Sequence, residues 1–95
     1  MAVNIYDGYY GELEYGYGTF PNGYTDDLGK YTQQDGQSWD NDISSLYTSE
    51  YLAVFTGDDY TGDSYVLAPG FHDVNSLAYY GFNNNISSFY QVYYV

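Results

Sequence analysis

One polar segment occurs twice in this chain. DNDISSLY begins at Asp40 and NNNISSFY begins at Asn83, and each runs from amides or acids through isoleucine and two serines to an apolar residue and a tyrosine. Short polar motifs recur by chance, but these two agree in residue type throughout. The duplication therefore indicates a fold built from two equivalent halves.

A second pattern is repeated upstream of each segment. In the second half, Phe55, Tyr60 and Gly62 are spaced as aromatic–x4–aromatic–x–Gly, which predicts a hairpin with strands over 51–56 and 62–67. Gly62 is expected where the backbone takes a conformation closed to other residues, or where it packs closely against the folded-back turn. In the first half, Tyr6, Tyr9 and Gly11 offer a looser copy whose hairpin is two residues shorter.

The composition favours an all-β class. Aromatic residues make up 23% of the chain, with sixteen tyrosines and eleven glycines; tyrosine suits a half-buried pleated surface and glycine suits turns. Each half then comprises a hairpin, a long irregular connection, a polar loop and a final strand, over 43–49 and 86–94. Residues 16–38 are interpreted as an enlarged loop region because Gly, Pro and Asn favour turns there.

Four strands with one long return form a Greek key, and two such units bury the apolar sides of both sheets. The sequence predicts one domain over 1–95, with motifs at about 1–49 and 50–95. The core is expected to comprise twelve apolar residues: Ile5, Leu28, Trp39, Ile43, Leu46, Leu52, Val54, Val66, Leu77, Ile86, Phe89 and Val92.

The duplicated hairpin and the duplicated Asn/Asp-Asn/Asp-x-x-Ser-Ser loop resemble those of the microbial βγ-crystallin domains, over essentially the whole chain. The resemblance implies a sandwich of two four-stranded antiparallel sheets. It also implies that the loops bind calcium.

The loop residues themselves suit a hard cation. Because Ile43 and Ile86 should point into the core, their neighbours should face away from it. This leaves Asn41 and Ser44 in one loop and Asn84 and Ser87 in the other to present oxygens, joined by a carbonyl from Asp42 or Asn85. Calcium accepts six to eight such oxygens in flexible geometry, whereas zinc favours His and Cys, and the chain has one His and no Cys.

The resemblance implies that a main-chain carbonyl from the hairpin of the other motif completes each site. One set of ligands would then be Asn41, Asp42, Ser44 and Thr56, and the other Asn84, Asn85, Ser87 and Asp7. Two calcium ions are expected, at non-equivalent sites. The loop with Asp40 and Asp42 should bind more tightly, since affinity rises with local negative charge.

Charge excludes several other functions. Thirteen acidic residues stand against a single basic residue, Lys30, for a net charge of −12. This charge disfavours binding to nucleic acids and to anionic membranes.

DNDISS also resembles half of an EF-hand, but Ser45 and Tyr51 replace the required Gly and Glu. His72 beside Phe71 is interpreted as a turn residue with a satisfied imidazole, and no enzyme is expected.

The alternative class is a binding or inhibitory module that engages carbohydrate or protein through a tyrosine-rich face. A monomer is expected. The N-terminus lacks signal-peptide features, and both secreted and cytoplasmic locations stay open.

Overall fold

The computed structural model describes residues 2–92 and consists mainly of strands. The strands are β1 (Val3–Tyr6), β2 (Tyr17–Phe20), β3 (Tyr24–Thr25), β4 (Ser45–Thr48), β5 (Tyr51–Phe55), β6 (Ser64–Leu67), β7 (Gly70–His72) and β8 (Ser88–Val92). One short helix, α1, covers Val74–Tyr79, and three 3-10 turns lie at Leu13–Tyr15, Leu28–Lys30 and Asp58–Tyr60. The all-β prediction is confirmed.

The strands form two four-stranded sheets in which every pairing is antiparallel. One sheet has the order β2-β1-β4-β7 and the other β3-β8-β5-β6. Each sheet therefore takes three strands from one half of the chain and one from the other half, since β3 and β7 cross between them. Within each half, the last strand returns to pair with the first, β4 with β1 and β8 with β5, as expected of a Greek key.

The first hairpin differs from its prediction. β1 pairs with β2, so that Tyr6 lies opposite Tyr17, and the connection over 7–16 is longer than the equivalent connection over 56–63. The prediction of a shorter first hairpin was therefore wrong. The prediction that residues 16–38 form only a loop was also wrong, because β2 and β3 lie within that segment. β2 is an edge strand, which tolerates the glycine and turn residues that argued against a strand.

Gly11 does not occupy the position equivalent to Gly62. Its backbone N–H donates to Ser45 Oγ at 3.0 Å, as the N–H of Tyr60 donates to Ser88 Oγ at 3.1 Å. Gly11 is therefore the counterpart of Tyr60, and a Cβ there would lie 3.0 Å from the ring of Phe71. In the second half, Gly62 has φ +81° and closely contacts Thr56, as predicted for that residue.

The polar loops shorten the final strands. β4 and β8 begin at Ser45 and Ser88 instead of at 43 and 86, because the preceding residues bond to the opposite loop. The last two residues of the predicted strand over 86–94 lie outside the described part of the chain.

The core lies between the two sheets and includes ten of the twelve expected residues. Val66 is 41% exposed and Val92 is only half-buried, so both predictions were wrong. Strand alternation explains them: Leu67 pairs with Leu52, which turns Val66 outward, and Val92 pairs with the exposed Tyr51. Four core residues were not predicted: Val3, Phe20, Leu67 and Phe82.

Within residues 2–92, no helix is long and apolar enough to cross a membrane.

The register of β6 gives a direct test of this core. Leu67→Ala should lower the free energy of unfolding by about 2–5 kcal/mol, since it removes a side chain that is 1% exposed. Val66→Ala should lower it by no more than about 0.5 kcal/mol. Urea denaturation measures both, and equal losses would contradict the register.

Candidate metal centre

The two repeated loops lie against each other and exchange backbone hydrogen bonds. The N–H of Asn41 donates to the carbonyl of Ile86 at 3.1 Å, and the N–H of Asn84 donates to the carbonyl of Ile43 at 2.9 Å. In both bonds the second residue of one loop donates to the fourth residue of the other, so the two bonds are equivalent. The loops are therefore related by an approximate two-fold axis.

The two asparagines adopt a backbone conformation that few residues tolerate. Asn41 has φ +58° and Asn84 has φ +52°, both in the left-handed region where asparagine is favoured among residues with a side chain. This turn leads each isoleucine, Ile43 and Ile86, into the core, where both are fully buried. The asparagine of each loop therefore has a conformational role as well as an oxygen to offer.

The side chains of the loops pair across the two-fold axis. Ser44 Oγ donates to Asn84 Oδ1 at 2.8 Å, and Ser87 Oγ donates to Asn41 Oδ1 at 3.2 Å. The serines are 1% and 4% exposed, whereas both asparagines are exposed. Each pair thus consists of a fixed, buried hydroxyl and an amide that faces solvent.

This pairing differs from the sets that the resemblance implied. Those sets placed Asn41 with Ser44 and Asn84 with Ser87, but the structure brings each asparagine to the serine of the opposite loop. The reason is the backbone exchange, which turns each loop across its partner before the strand begins. The structure therefore places the amide of each loop beside the hydroxyl of the opposite loop. The grouping of these residues around an ion stays a prediction.

The hairpin residues group with the serine of their own half. The N–H of Ser44 donates to the carbonyl of Tyr6 at 2.9 Å, and the N–H of Ser87 donates to the carbonyl of Phe55 at 2.9 Å. Asp7, which follows Tyr6, therefore lies beside Ser44. By the same bond in the second half, Thr56 lies beside Ser87.

The residues after the asparagines are placed by separate bonds. The carboxylate of Asp42 accepts a hydrogen bond from Gln33 Nε2, and Asn85 Nδ2 donates to the carbonyl of Gly81 at 3.2 Å. Their side chains therefore bond to groups outside the serine–asparagine pairs. Their main-chain carbonyls belong to the residues that directly follow Asn41 and Asn84.

The second serine of each loop has a role that the sequence reasoning missed. Ser45 Oγ donates to the carbonyl of Gly8 and accepts from the N–H of Gly11. Ser88 Oγ does the same in the second half, with Gly57 at 2.6 Å and Tyr60. These serines fasten the folded-back hairpin of their own half, and their repetition in both copies was the available signal.

Negative charge surrounds the paired loops. Burial raises the pKa of the Asp7 carboxyl, and the neighbouring Asp42 carboxyl raises it further. Burial also raises the pKa of Asp58, with further contributions from Asp27 and Asp40. The one lysine of the chain, Lys30, bonds to Asp26 at 3.1 Å on the surface. The loops therefore lie in a potential that attracts cations.

The paired oxygens fit a calcium ion. Two ligands that lie about 2.4 Å from one ion and subtend an angle of about 80° are roughly 3 Å apart, and the two serine–asparagine pairs are separated by 2.8 and 3.2 Å. Over residues 2–92, no group of three or more His, Asp or Glu side chains is arranged to hold a metal. The donors at the loops are amides and hydroxyls, which calcium accepts and zinc does not favour.

The single histidine is bonded on both ring nitrogens. His72 Nδ1 lies 2.8 Å from Ser76 Oγ, and Nε2 lies 2.7 Å from the carbonyl of Ala68. The prediction of a satisfied imidazole is confirmed. The prediction of a turn residue was wrong, because His72 ends β7 and pairs with Leu46 of β4.

Solved structures with the same fold are found over nearly the whole chain. A βγ-crystallin from Ciona intestinalis superposes with a TM-score of 0.71 at 20% identity, covering 97% of this chain and 100% of that one. A βγ-crystallin from an archaeon gives 0.68 at 23% identity, with 96% of each chain covered. A structure described under the evolution of the eye-lens βγ-crystallin domain fold gives 0.73 at 19% identity, covering 99% and 87%.

No protein-family model matches the sequence, and no curated protein matches it significantly. The likeness is therefore one of architecture. The chain has the βγ-crystallin fold.

Proposed function

We propose that this protein binds two calcium ions at the paired loops and that the ions stabilise the fold. One ion would be held by Ser44, Asn84 and the carbonyls of Asp7 and Asn85. The other would be held by Ser87, Asn41 and the carbonyls of Thr56 and Asp42. Bound calcium would supply two positive charges at each site, and oxygens from both halves of the chain would coordinate the same ion.

The observation that carries this proposal is the cross-loop pairing of Ser44 with Asn84 and of Ser87 with Asn41. Four oxygens in two equivalent places already converge in pairs at the spacing of neighbouring calcium ligands. Each hydroxyl is fixed by burial, so little side-chain freedom is lost when an ion binds. Chance recurrence of a polar motif would not bring the two copies into contact with each other.

The two sites should differ in affinity. Asp40 and Asp42 flank Asn41, whereas the loop that begins at Asn83 has no acid. Asp58 is also within electrostatic reach of Asp40. The site of Asn41 and Ser87 should therefore bind more tightly, and both should lie in the range of roughly micromolar to sub-millimolar that suits carboxylate-poor sites.

Calcium should raise the stability of the protein. An ion that binds only the folded state adds about 2.7 kcal/mol at a hundredfold excess over its Kd, and about 1 kcal/mol raises the Tm of a domain this size by roughly 4–8 °C. The measurement is thermal unfolding with chelator and with millimolar calcium, and magnesium should give a smaller shift. An unchanged Tm would contradict the proposal.

Double variants test which residues share an ion. Asn41→Gly with Ser87→Ala should disable one loop site and leave the other loop ion bound, because both changes fall in the same site. Asn41→Gly with Ser44→Ala should disable both loop sites and leave neither loop ion. Glycine is used at residue 41 because it tolerates the positive φ.

Calorimetric titration with calcium gives the number of ions, and Ser64→Ala, at an exposed residue, is the control. If the first double variant loses both ions and the second keeps one, the ligands are grouped within each loop and the cross-loop assignment fails.

A carbohydrate-binding function is the second candidate. A cavity of about 410 Å³ is lined by Asp7, Gly8, Tyr9, Tyr10, Glu12 and Tyr15. Tyrosine faces stack on sugar rings, and carboxylates accept hydrogen bonds from sugar hydroxyls. The volume lies within the usual range of small-molecule sites.

Oligosaccharide binding in the presence of chelator tests this second candidate. Tyr15→Ala should weaken binding at least several-fold, while Tyr24→Ala should not, because Tyr24 lies outside the cavity at a similar exposure of 56% against 59%. Binding that is absent, or that both variants reduce equally, would exclude the cavity as the sugar site.

A further inference from the structure

A separate group of oxygens lies where the connection between β1 and β2 meets the loop that begins at Asp40. The carboxyl groups of Asp7 and Asp42 lie within hydrogen-bonding reach of each other. In the loop sites proposed above, these two residues contribute only carbonyls. Their carboxyl groups are therefore not used by those sites.

Two carboxyl groups in contact cannot both be charged at low cost. Such a pair is stable when a proton or a cation lies between the two groups. Contact between acids alone does not distinguish these cases, so a third group is decisive.

That third group is the side-chain amide of Gln33. Gln33 is 4% exposed, and its Nε2 donates to Asp42 and, at 3.4 Å, to the carbonyl of Ser38. Its Oε1 is buried and has no hydrogen-bond partner within residues 2–92. A buried acceptor left without a partner costs about 1–3 kcal/mol, so this oxygen is free to accept a ligand.

The backbone holds Gln33 in this position. The N–H of Gln33 donates to the carbonyl of Gln37 at 2.7 Å, and its carbonyl accepts from the N–H of Gly36 at 2.9 Å. The amide is therefore presented from a closed turn, with its Nε2 bonded to the Asp42 carboxylate.

Gly16 leaves space beside this oxygen. A Cβ built on Gly16 would lie 2.6 Å from Gln33 Oε1 and 3.6 Å from Asp7 Cβ. Gly16 has φ +125°, and its carbonyl accepts from the N–H of Asp7 at 3.1 Å. The unpartnered oxygen and the Asp7 side chain thus border the same glycine, in a space that any side chain would fill.

We propose that Asp7, Asp42 and Gln33 form a third cation site, in which a hard divalent ion is held by the two carboxylates and by Gln33 Oε1. All three ligand atoms would be oxygens, which favour a hard cation such as Ca²⁺ over a soft metal ion. An ion there would neutralise the carboxyl pair and give Oε1 a partner. Asp7 and Asp42 also lend carbonyls to the proposed loop sites, but the third site uses none of the serine and asparagine side chains, so variants of the serines separate the two proposals.

The number of calcium ions bound per chain, measured by equilibrium dialysis with radioactive calcium, tests the third site. The wild type should bind three, and Asp42→Asn, which keeps the backbone and the shape of the side chain, should bind two. Asp40→Asn removes the same charge from an exposed neighbour and should still bind three. Asp7→Asn is a second variant and should also bind two.

The two proposals fail in different ways. If Ser44→Ala with Ser87→Ala leaves one ion that Asp42→Asn then removes, the third site stands. If the serine variants remove every ion, or if Asp42→Asn and Asp7→Asn bind as many ions as the wild type, the third site is overturned.

Gln33→Glu tests whether the amide of Gln33 binds the ion or only supports the fold. A third carboxylate should lower the Tm in chelator, because three acids then meet, and should tighten calcium binding at this site on the order of tenfold, because affinity rises with ligand charge. A variant destabilised equally with and without calcium would overturn the proposal.

Discussion

The structure depends on the reciprocal hydrogen bonds between its two polar loops. Asn41 and Asn84 each donate a backbone N–H to the isoleucine of the other loop, and the same exchange sends both isoleucines into the core. The contact that joins the halves therefore also sets the direction in which the asparagine oxygens point. Because of this geometry each oxygen meets a serine from the opposite half, and a single interaction specifies both the packing and the candidate sites.

The two serines of each loop make different hydrogen bonds. The first serine, Ser44 or Ser87, reaches across the two-fold axis, and the second, Ser45 or Ser88, holds the folded-back hairpin of its own half. The serine pair thus connects the hairpin to the facing loop through adjacent residues. An ion bound beside the first serine would in this way be coupled to the hairpin geometry as well as to the junction between the halves.

Much of this fold was predictable, since the repeated motif and strand alternation are local properties of the sequence. The strand class and most of the core follow from them. The cross-loop grouping was not predictable, because it depends on how two distant segments lie against each other. Nor was the position of Gly11, which spacing aligns with Gly62 but hydrogen bonding aligns with Tyr60. Gln33 carried no signal: its importance comes from burial beside Asp42, in a region without periodicity.

The exchange of β3 and β7 between the sheets has a consequence for how the chain reaches this state. Neither sheet can be completed by its own half, because β3 must pair with β8 and β7 with β4. The first of these pairings joins residues that are 66 and 64 positions apart in the chain, Tyr24 with Tyr90 and Thr25 with Phe89, so a large loop must close before it can form. Contact order is correspondingly high, and the protein should fold as one slow, all-or-none unit without an early independent half.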